Sequence, residues 1–171
     1  MAEKSQLMQN ARAFMETLAI INGPNNNFYG IRNKEQYGSQ TYDDLIEELK
    51  AYGVTLGFAV EAFQSNSEGA IIDHLQSLYL RARDAGTSIP LVINPGAYTH
   101  YSYAIMDALE SVHELVPAIE CHMSNIHKRE EFRHTSVTAR ECIGQVTGFG
   151  KDSYKIAMQA HRLRIDSERE A

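Results

Sequence analysis

The apolar positions of this chain fall into five short runs, set between longer segments of helical spacing. The runs are Leu18 to Asn22, Gly57 to Gln64 (Phe58, Val60 and Phe63), Leu91 to Asn94 after Pro90, Val116 to Cys121, and Cys142 to Thr147. Short continuous apolar runs fit strands covered on both faces. Between them, Thr41 is a good N-cap, followed by Asp43 and Asp44 in a first turn and Leu45, Ile46 and Leu49 on one face. That helix is expected to run to about Tyr52 and to stop at Gly53. Glu68 to about Ala85 predicts a second helix, with Ile71, Ile72, Leu75, Leu78, Tyr79 and Ala82 inward and Gly86 ending it. Ser102 to Glu114 and Ser153 to about Arg169 predict two more. Ser5 to Glu16 also carries apolar residues at helical spacing (Leu7, Met8, Ala11, Phe14, Met15), which predicts a helical N-terminal extension over 1–16 before a single domain over 17–171.

Strand then helix, repeated five times, predicts an α/β fold with one five-stranded parallel sheet and helices on both faces. Ligands of such sheets bind beyond the carboxyl ends of the strands. The polar residues gather there: Asn22 to Asn25 after the first strand, Asn94 to His100 after the third, Glu120 to Arg133 at and after the fourth. The long polar stretch Gly23 to Gly38 has the length of a functional lid. The charged stretch Glu120 to His134 reads as a loop with little room for its side chains in a core.

Composition narrows the classes. A chain of 171 residues with 43% hydrophobic and 22% charged residues fits a globular domain with a sizeable core. The net charge of −6 argues against nucleic acid as default partner, while a local basic pocket for a small anion remains compatible with it. No apolar run is long enough to span a bilayer, and no signal-peptide stretch is evident. Cys121 and Cys142 lack metal-ligand spacing and sit in apolar runs, so buried reduced thiols and a cytoplasmic setting are expected.

The candidate chemistry lies in Asn22, Asn25, Arg32, Tyr37, Asn94, His100, Glu120, His122, Ser124, Arg129 and Arg133. No Gly-x-Ser-x-Gly, phosphate-binding P-loop or His-Glu-x-x-His pattern accompanies them. Proton chemistry on a small anion remains. Glu120 sits two residues before His122, so at strand spacing both point to one face and the carboxylate can hold one imidazole nitrogen. Amides after His122 and the two arginines suit an anion. Arg32 beside Tyr37 would favour the phenolate. The competing readings are a solvated charged turn, a tyrosine that only packs, and a histidine satisfied by a backbone carbonyl.

Taken together, these blocks resemble the type II 3-dehydroquinate dehydratase family. The resemblance rests on Asn22-Gly23-Pro24-Asn25, Gly30-x-Arg32 with Tyr37-Gly38, Gln64-Ser65-Asn66-x-Glu68-Gly69, Ile93-Asn94-Pro95-Gly96-Ala97-x-Thr99-His100, Asp107-Ala108-Leu109, Glu120-x-His122-x-Ser124-Asn125, Glu131-Phe132-Arg133-His134 and Gly148-Phe149-Gly150, in that order. It implies a three-layer flavodoxin-like fold, a dodecamer built as a tetramer of trimers, and reversible dehydration of 3-dehydroquinate without metal or cofactor. It implies Tyr37 as base, Arg32 as the group that activates it, Asn25 as holder of a water against the enolate, and His122 as acid oriented by Glu120. It further implies Asn94, His100 and Arg133 as ligands of substrate hydroxyls, and Met123 and Ser124 as carboxylate binders through their amides. Asp107 would reach a neighbouring subunit's site, and Arg129 would contact the lid. No nucleic acid or membrane partner follows from it.

The chain departs from the family's usual pattern at Asn26, where Leu is common, and at Asn33-Lys34, where Glu-Pro is common. It also departs at Tyr101, Tyr103 and Met106, and in the Ser136-Val137-Thr138 block. A binding protein for a cyclic polyhydroxy acid that no longer turns it over is the alternative those departures raise. A flavin-binding module of the same fold is a more distant one.

Overall fold

The computed structural model describes residues 15–30 and 40–170. Its elements in chain order are β1 (Glu16–Asn22), α1 (Tyr42–Thr55), β2 (Phe58–Gln64), α2 (Glu68–Ala85), β3 (Leu91–Asn94), α3 (Tyr103–Val112), β4 (Ala118–His122), β5 (Gly144–Thr147) and α4 (Asp152–Glu170), with short 3-10 turns between several of them. All five strands run parallel in the order β2-β1-β3-β4-β5. That is the flavodoxin-like order.

The alternation of side chains along each strand divides the core into two layers. Ala19, Ile21, Leu91, Ile93 and Ala118 face α2 and α3, packing against Ile71, Leu75, Leu78, Ile105 and Leu109. Leu18, Ile20, Val92, Ile119 and Cys121 face α1 and α4, packing against Leu45, Leu49, Tyr154, Ala157 and Met158. The starts of α1, α2 and α3 are capped by side chains, at Thr41 as its sequence predicts. Thr41 and Asp44 form a reciprocal capping box on α1. Ser67 caps α2, and Ser102 caps α3 while donating to Glu68 Oε1 at 2.6 Å.

Several expectations are corrected. Gly53 does not end α1: it lies inside the helix, buried, where β2 and α4 press on it, and the turn is made at Gly57 with φ +80°. β1 already begins at Glu16, so no helix reaches that residue. Residues 1–14 of the expected extension lie outside the described residues, as does the second half of the expected lid (31–38). Cys142 precedes β5 and is only partly buried, while Cys121 is fully buried. Both thiols are free. Among the described residues, no helix is long and apolar enough to cross a membrane.

The direction of strand order reverses between β1 and β3, and there the two strands end in register on Asn22 and Asn94. A crevice at such a reversal is where this sheet type accepts ligands.

Candidate active site

A cavity of about 290 Å³ opens beside that reversal. Its wall includes Asn25, Asn94, His100, His122, Met123, Ser124, Arg129 and Arg133, eight of the residues singled out in the sequence. Glu120 stands directly behind His122. Asp107 is exposed on α3 and does not line this cavity. Arg32 and Tyr37 lie outside the described residues.

The charged stretch is not a loop at its start. Glu120 and His122 belong to β4 and are 0% and 6% exposed. Their i, i+2 spacing puts both on the α3 side of the sheet, and His122 Nε2 meets Glu120 Oε1 at 2.8 Å. A buried carboxylate needs several donors. Glu120 has them in Ser136 Oγ (2.8 Å) and Gln145 Nε2 (2.7 Å) on Oε1, and Thr138 Oγ1 (2.5 Å) on Oε2. Burial by itself would raise the Glu120 carboxyl pKa. The bonds from His122, Thr138 and Ser136 outweigh burial and hold it below the ordinary carboxylate value. An ionised Glu120 accepts the hydrogen bond of His122 Nε2–H, which leaves Nδ1 as the nitrogen free to exchange a proton.

Past His122 the chain turns so that two amides lie side by side. The carbonyls of His122 and Met123 accept from Gly148 N–H (3.1 Å) and Gly150 N–H (2.9 Å). The peptides are trans, so the N–H groups of Met123 and Ser124 point the opposite way, from residues that line the cavity. Adjacent N–H groups on one side of the chain form an anion-binding nest. The turn that holds them uses φ +97° at Gly148 and +60° at Gly150, backbone that glycine adopts without cost. The glycine turn after β5 therefore holds the carbonyls next to these amides.

His100 Nδ1 meets the Thr135 carbonyl at 2.9 Å and so is the protonated nitrogen, leaving Nε2 as an acceptor. Burial pushes its pKa below the ordinary histidine value despite the Thr135 bond, and the charge of Arg133 adds to that. A neutral His100 accepts from a hydroxyl. Arg133 is joined to Glu130 at 2.9 Å, and Arg129 approaches the same carboxylate at 3.6 Å. Together they make one rim of the cavity basic without leaving it bare.

Asn25 holds φ +64°, a left-handed conformation that asparagine tolerates better than most side chains. Its N–H donates to Asn66 Oδ1 at 2.9 Å. Asn94 lines the cavity, and its amide is largely engaged inside the protein. Nδ2 donates to Tyr154 Oη at 2.9 Å and more weakly to Asn26 Oδ1 at 3.4 Å, and Oδ1 accepts from Gly96 N–H at 3.2 Å. Asn22 is fully buried and belongs to the same network, not to the cavity wall.

The sequence reading gave no role to Tyr154, Asn66, Asn26, Thr138 or Gln145. For Asn66 the signal was present in the Gln64-Ser65-Asn66 block. The others act through tertiary contacts that no local pattern announces.

Residues 16–162 match the family model described as dehydroquinase class II. A Caldicellulosiruptor bescii protein named 3-dehydroquinate dehydratase is 51% identical over 152 residues, which is 89% of this chain and 100% of that one. A Lachnospira eligens protein of the same name is 53% identical over 143 residues, 84% of this chain and 93% of its own. Among solved structures, the type II dehydroquinase from Butyrivibrio crossotus superposes with a TM-score of 0.78 at 49% identity, covering 85% of this chain and 97% of that one. The type II dehydroquinase from Propionibacterium acnes gives 0.78 at 38% identity, covering 88% and 98%.

Proposed function

The chain belongs to the class II dehydroquinase family, and from that premise we infer that it is a hydro-lyase that dehydrates 3-dehydroquinate to 3-dehydroshikimate. The observation that carries the chemistry is the buried Glu120–His122 pair, presenting one free imidazole nitrogen to a cavity with a nest of amides beside it.

The reaction removes a proton from C2 and hydroxide from C1, so it needs a base, an acid and a place for enolate charge. We assign the base to Tyr37, with Arg32 favouring its phenolate. The electrons of the broken C2–H bond pass to the C3 oxygen as an enolate, and Asn25 holds a water against it. Collapse of the enolate expels the C1 oxygen, which takes a proton from His122 and leaves as water. Glu120 stabilises the imidazolium before that transfer and fixes the ring throughout. The amides of Met123 and Ser124 hold the substrate carboxylate. His100 accepts from a substrate hydroxyl at Nε2, and Arg133 and Asn94 donate to others. The long Asn94–Asn26 contact is the one that yields to a ligand. Arg129 meets the lid. No step in this scheme calls for a metal or an organic cofactor.

Asp107, exposed on α3, is assigned to the site of a neighbouring copy, in a dodecamer arranged as a tetramer of trimers. The setting proposed is the cytoplasm, in aromatic biosynthesis or quinate breakdown, both of which use this reaction.

The test is direct. Purified protein is mixed with 3-dehydroquinate, and the ultraviolet absorbance of the conjugated enone is followed. Enzyme-dependent growth of that band, lost in His122→Ala and Tyr37→Phe, supports the assignment. Full turnover by Tyr37→Phe removes Tyr37 as base. Light scattering that shows a monomer removes the dodecamer, and with it the role given to Asp107.

A further inference from the structure

Glu120 accepts four side-chain hydrogen bonds, and only one of them comes from His122. Ser136 and Thr138 come from the segment that crosses the end of β4, and Gln145 from the edge strand β5. These donors are themselves oriented. The Ala139 N–H donates to Ser136 Oγ at 3.0 Å, which turns the Ser136 proton outward onto Glu120. The 3-10 turn Thr138–Glu141 presents the Thr138 hydroxyl to the other carboxylate oxygen. Thr138 is fully buried, and a buried hydroxyl on a buried carboxylate is a charge-assisted bond with no competing water.

We propose that Ser136, Thr138 and Gln145 are positioning residues that set the proton affinity of the Glu120–His122 pair, by sharing the carboxylate's charge with three donors other than the imidazole. The inference rests on the dehydratase reading for its catalytic meaning but not for its geometry. Each donor draws negative charge from the Glu120 carboxylate and so weakens its pull on a proton shared with His122. Removing a donor concentrates charge on Glu120 and strengthens its hold on a proton shared with His122. The pair then protonates at higher pH, and its midpoint belongs to both residues. Other titratable or charged groups near the pair are His100 after β3, Arg133 at the rim and Cys142 before β5, with Cys121 on the same strand but turned to its other face. None of them changes in the variants below.

The experiment compares the intact enzyme with Thr138→Val, Gln145→Leu and Thr138→Ser. The His122 ring is followed by NMR across pH, assigned by its loss in His122→Asn, and kcat is measured across the same range. Thr138→Val keeps the shape and deletes the hydroxyl. Gln145 is exposed on an edge strand, so its replacement leaves the fold intact even if Thr138→Val does not fold. The expected result is an upward move of the His122 midpoint by about one pH unit in Thr138→Val and Gln145→Leu. The alkaline limb of kcat moves with it, and Thr138→Ser stays at the wild-type midpoint. An unchanged midpoint in Gln145→Leu and in any folded Thr138→Val overturns the proposal, even if kcat falls, because a purely structural support lowers the rate without moving the titration. Failure of the wild type to dehydrate 3-dehydroquinate would refute the functional reading alone, since the ring titration still decides this one.

Discussion

Tyr154 Oη donates to Asn22 Oδ1 at 2.6 Å and accepts from Asn94 Nδ2 at 2.9 Å, so one phenol on α4 joins the ends of β1 and β3 where the strand order reverses. Asn22 reaches on to Tyr42 Oη at 3.3 Å, which brings in α1. Tyr154 and Asn22 are buried, and burial drives the Tyr154 pKa well above the ordinary tyrosine value, so the phenol is always a donor. Tyr154→Phe keeps the ring and strands one acceptor and one donor away from water. We expect a loss of about 1–3 kcal/mol in stability. Urea denaturation at neutral pH measures it, and a change below about 0.5 kcal/mol would mean that the asparagines find other partners.

His161 lies seven residues further along α4 and gives the protein an acid-sensitive point. Its Nε2–H donates to the Leu91 carbonyl at 2.9 Å, and its Nδ1 is buried without a partner. Burial lowers its pKa from 6.5 to about 4, against the raising effect of the Leu91 bond. The folded state therefore binds this proton less readily than the unfolded chain. The corresponding stability is present above the unfolded value of 6.5 and is lost as pH falls toward 4. The whole term is roughly 3 kcal/mol. Chemical denaturation at several pH values should show a slope between pH 6.5 and 4 that is smaller in His161→Gln. An equal slope in both proteins would place the acid sensitivity elsewhere.

Much of this molecule was legible in the order of its residues. The cap at Thr41 and the strand Leu91–Asn94 follow from local chemistry and appear as expected. The i, i+2 relation of Glu120 and His122 is a strand property, so their shared face could be read directly. What failed depended on contacts between distant segments. Glu120 looked too polar for a core because its donors lie 16, 18 and 25 residues away in sequence. The amides after His122 could be read as an anion site, but only the tertiary fold shows that Gly148 and Gly150 hold the His122 and Met123 carbonyls beside them. Asn22 and Asn94 look alike in sequence at their strand ends, yet one is wholly internal and the other reaches the cavity, although both bond the same Tyr154 hydroxyl.

Gly53 illustrates the same limit and carries a prediction of its own. Glycine near the end of a helical pattern reads as a stop, but here it is a packing site. A Cβ added at Gly53 would lie 2.2 Å from Val60 Cγ2 and 3.3 Å from the Met158 Cε methyl. Alanine gains about 1 kcal/mol of helix propensity, but overpacking a tight core costs about 1–3 kcal/mol. Gly53→Ala should therefore be neutral to destabilising, and Val60→Ala in the same background should recover part of any loss. A Gly53→Ala protein with a raised melting temperature would show that Val60 moves aside freely.

The glycine turn after β5 makes a prediction about binding rather than stability. An added Cβ on Gly148 would lie 3.0 Å from Asn125 Cβ, and φ +97° is strained for any L side chain. Gly148→Ala should shift the turn and tilt the Met123 and Ser124 amides that its hydrogen bond to His122 helps to aim. Under the proposed assignment, these amides hold a carboxylate that does not react, and so hold it alike before and during the elimination. Loss of such uniform binding raises KM and leaves kcat nearly unchanged. A tilt worth about 1.4–2.8 kcal/mol corresponds to roughly a ten- to hundredfold rise in KM. Steady-state kinetics on 3-dehydroquinate decide it. If kcat falls instead while KM holds, the turn is acting on His122, whose carbonyl it also grips, and the carboxylate site must be sought at the basic rim formed by Arg129 and Arg133.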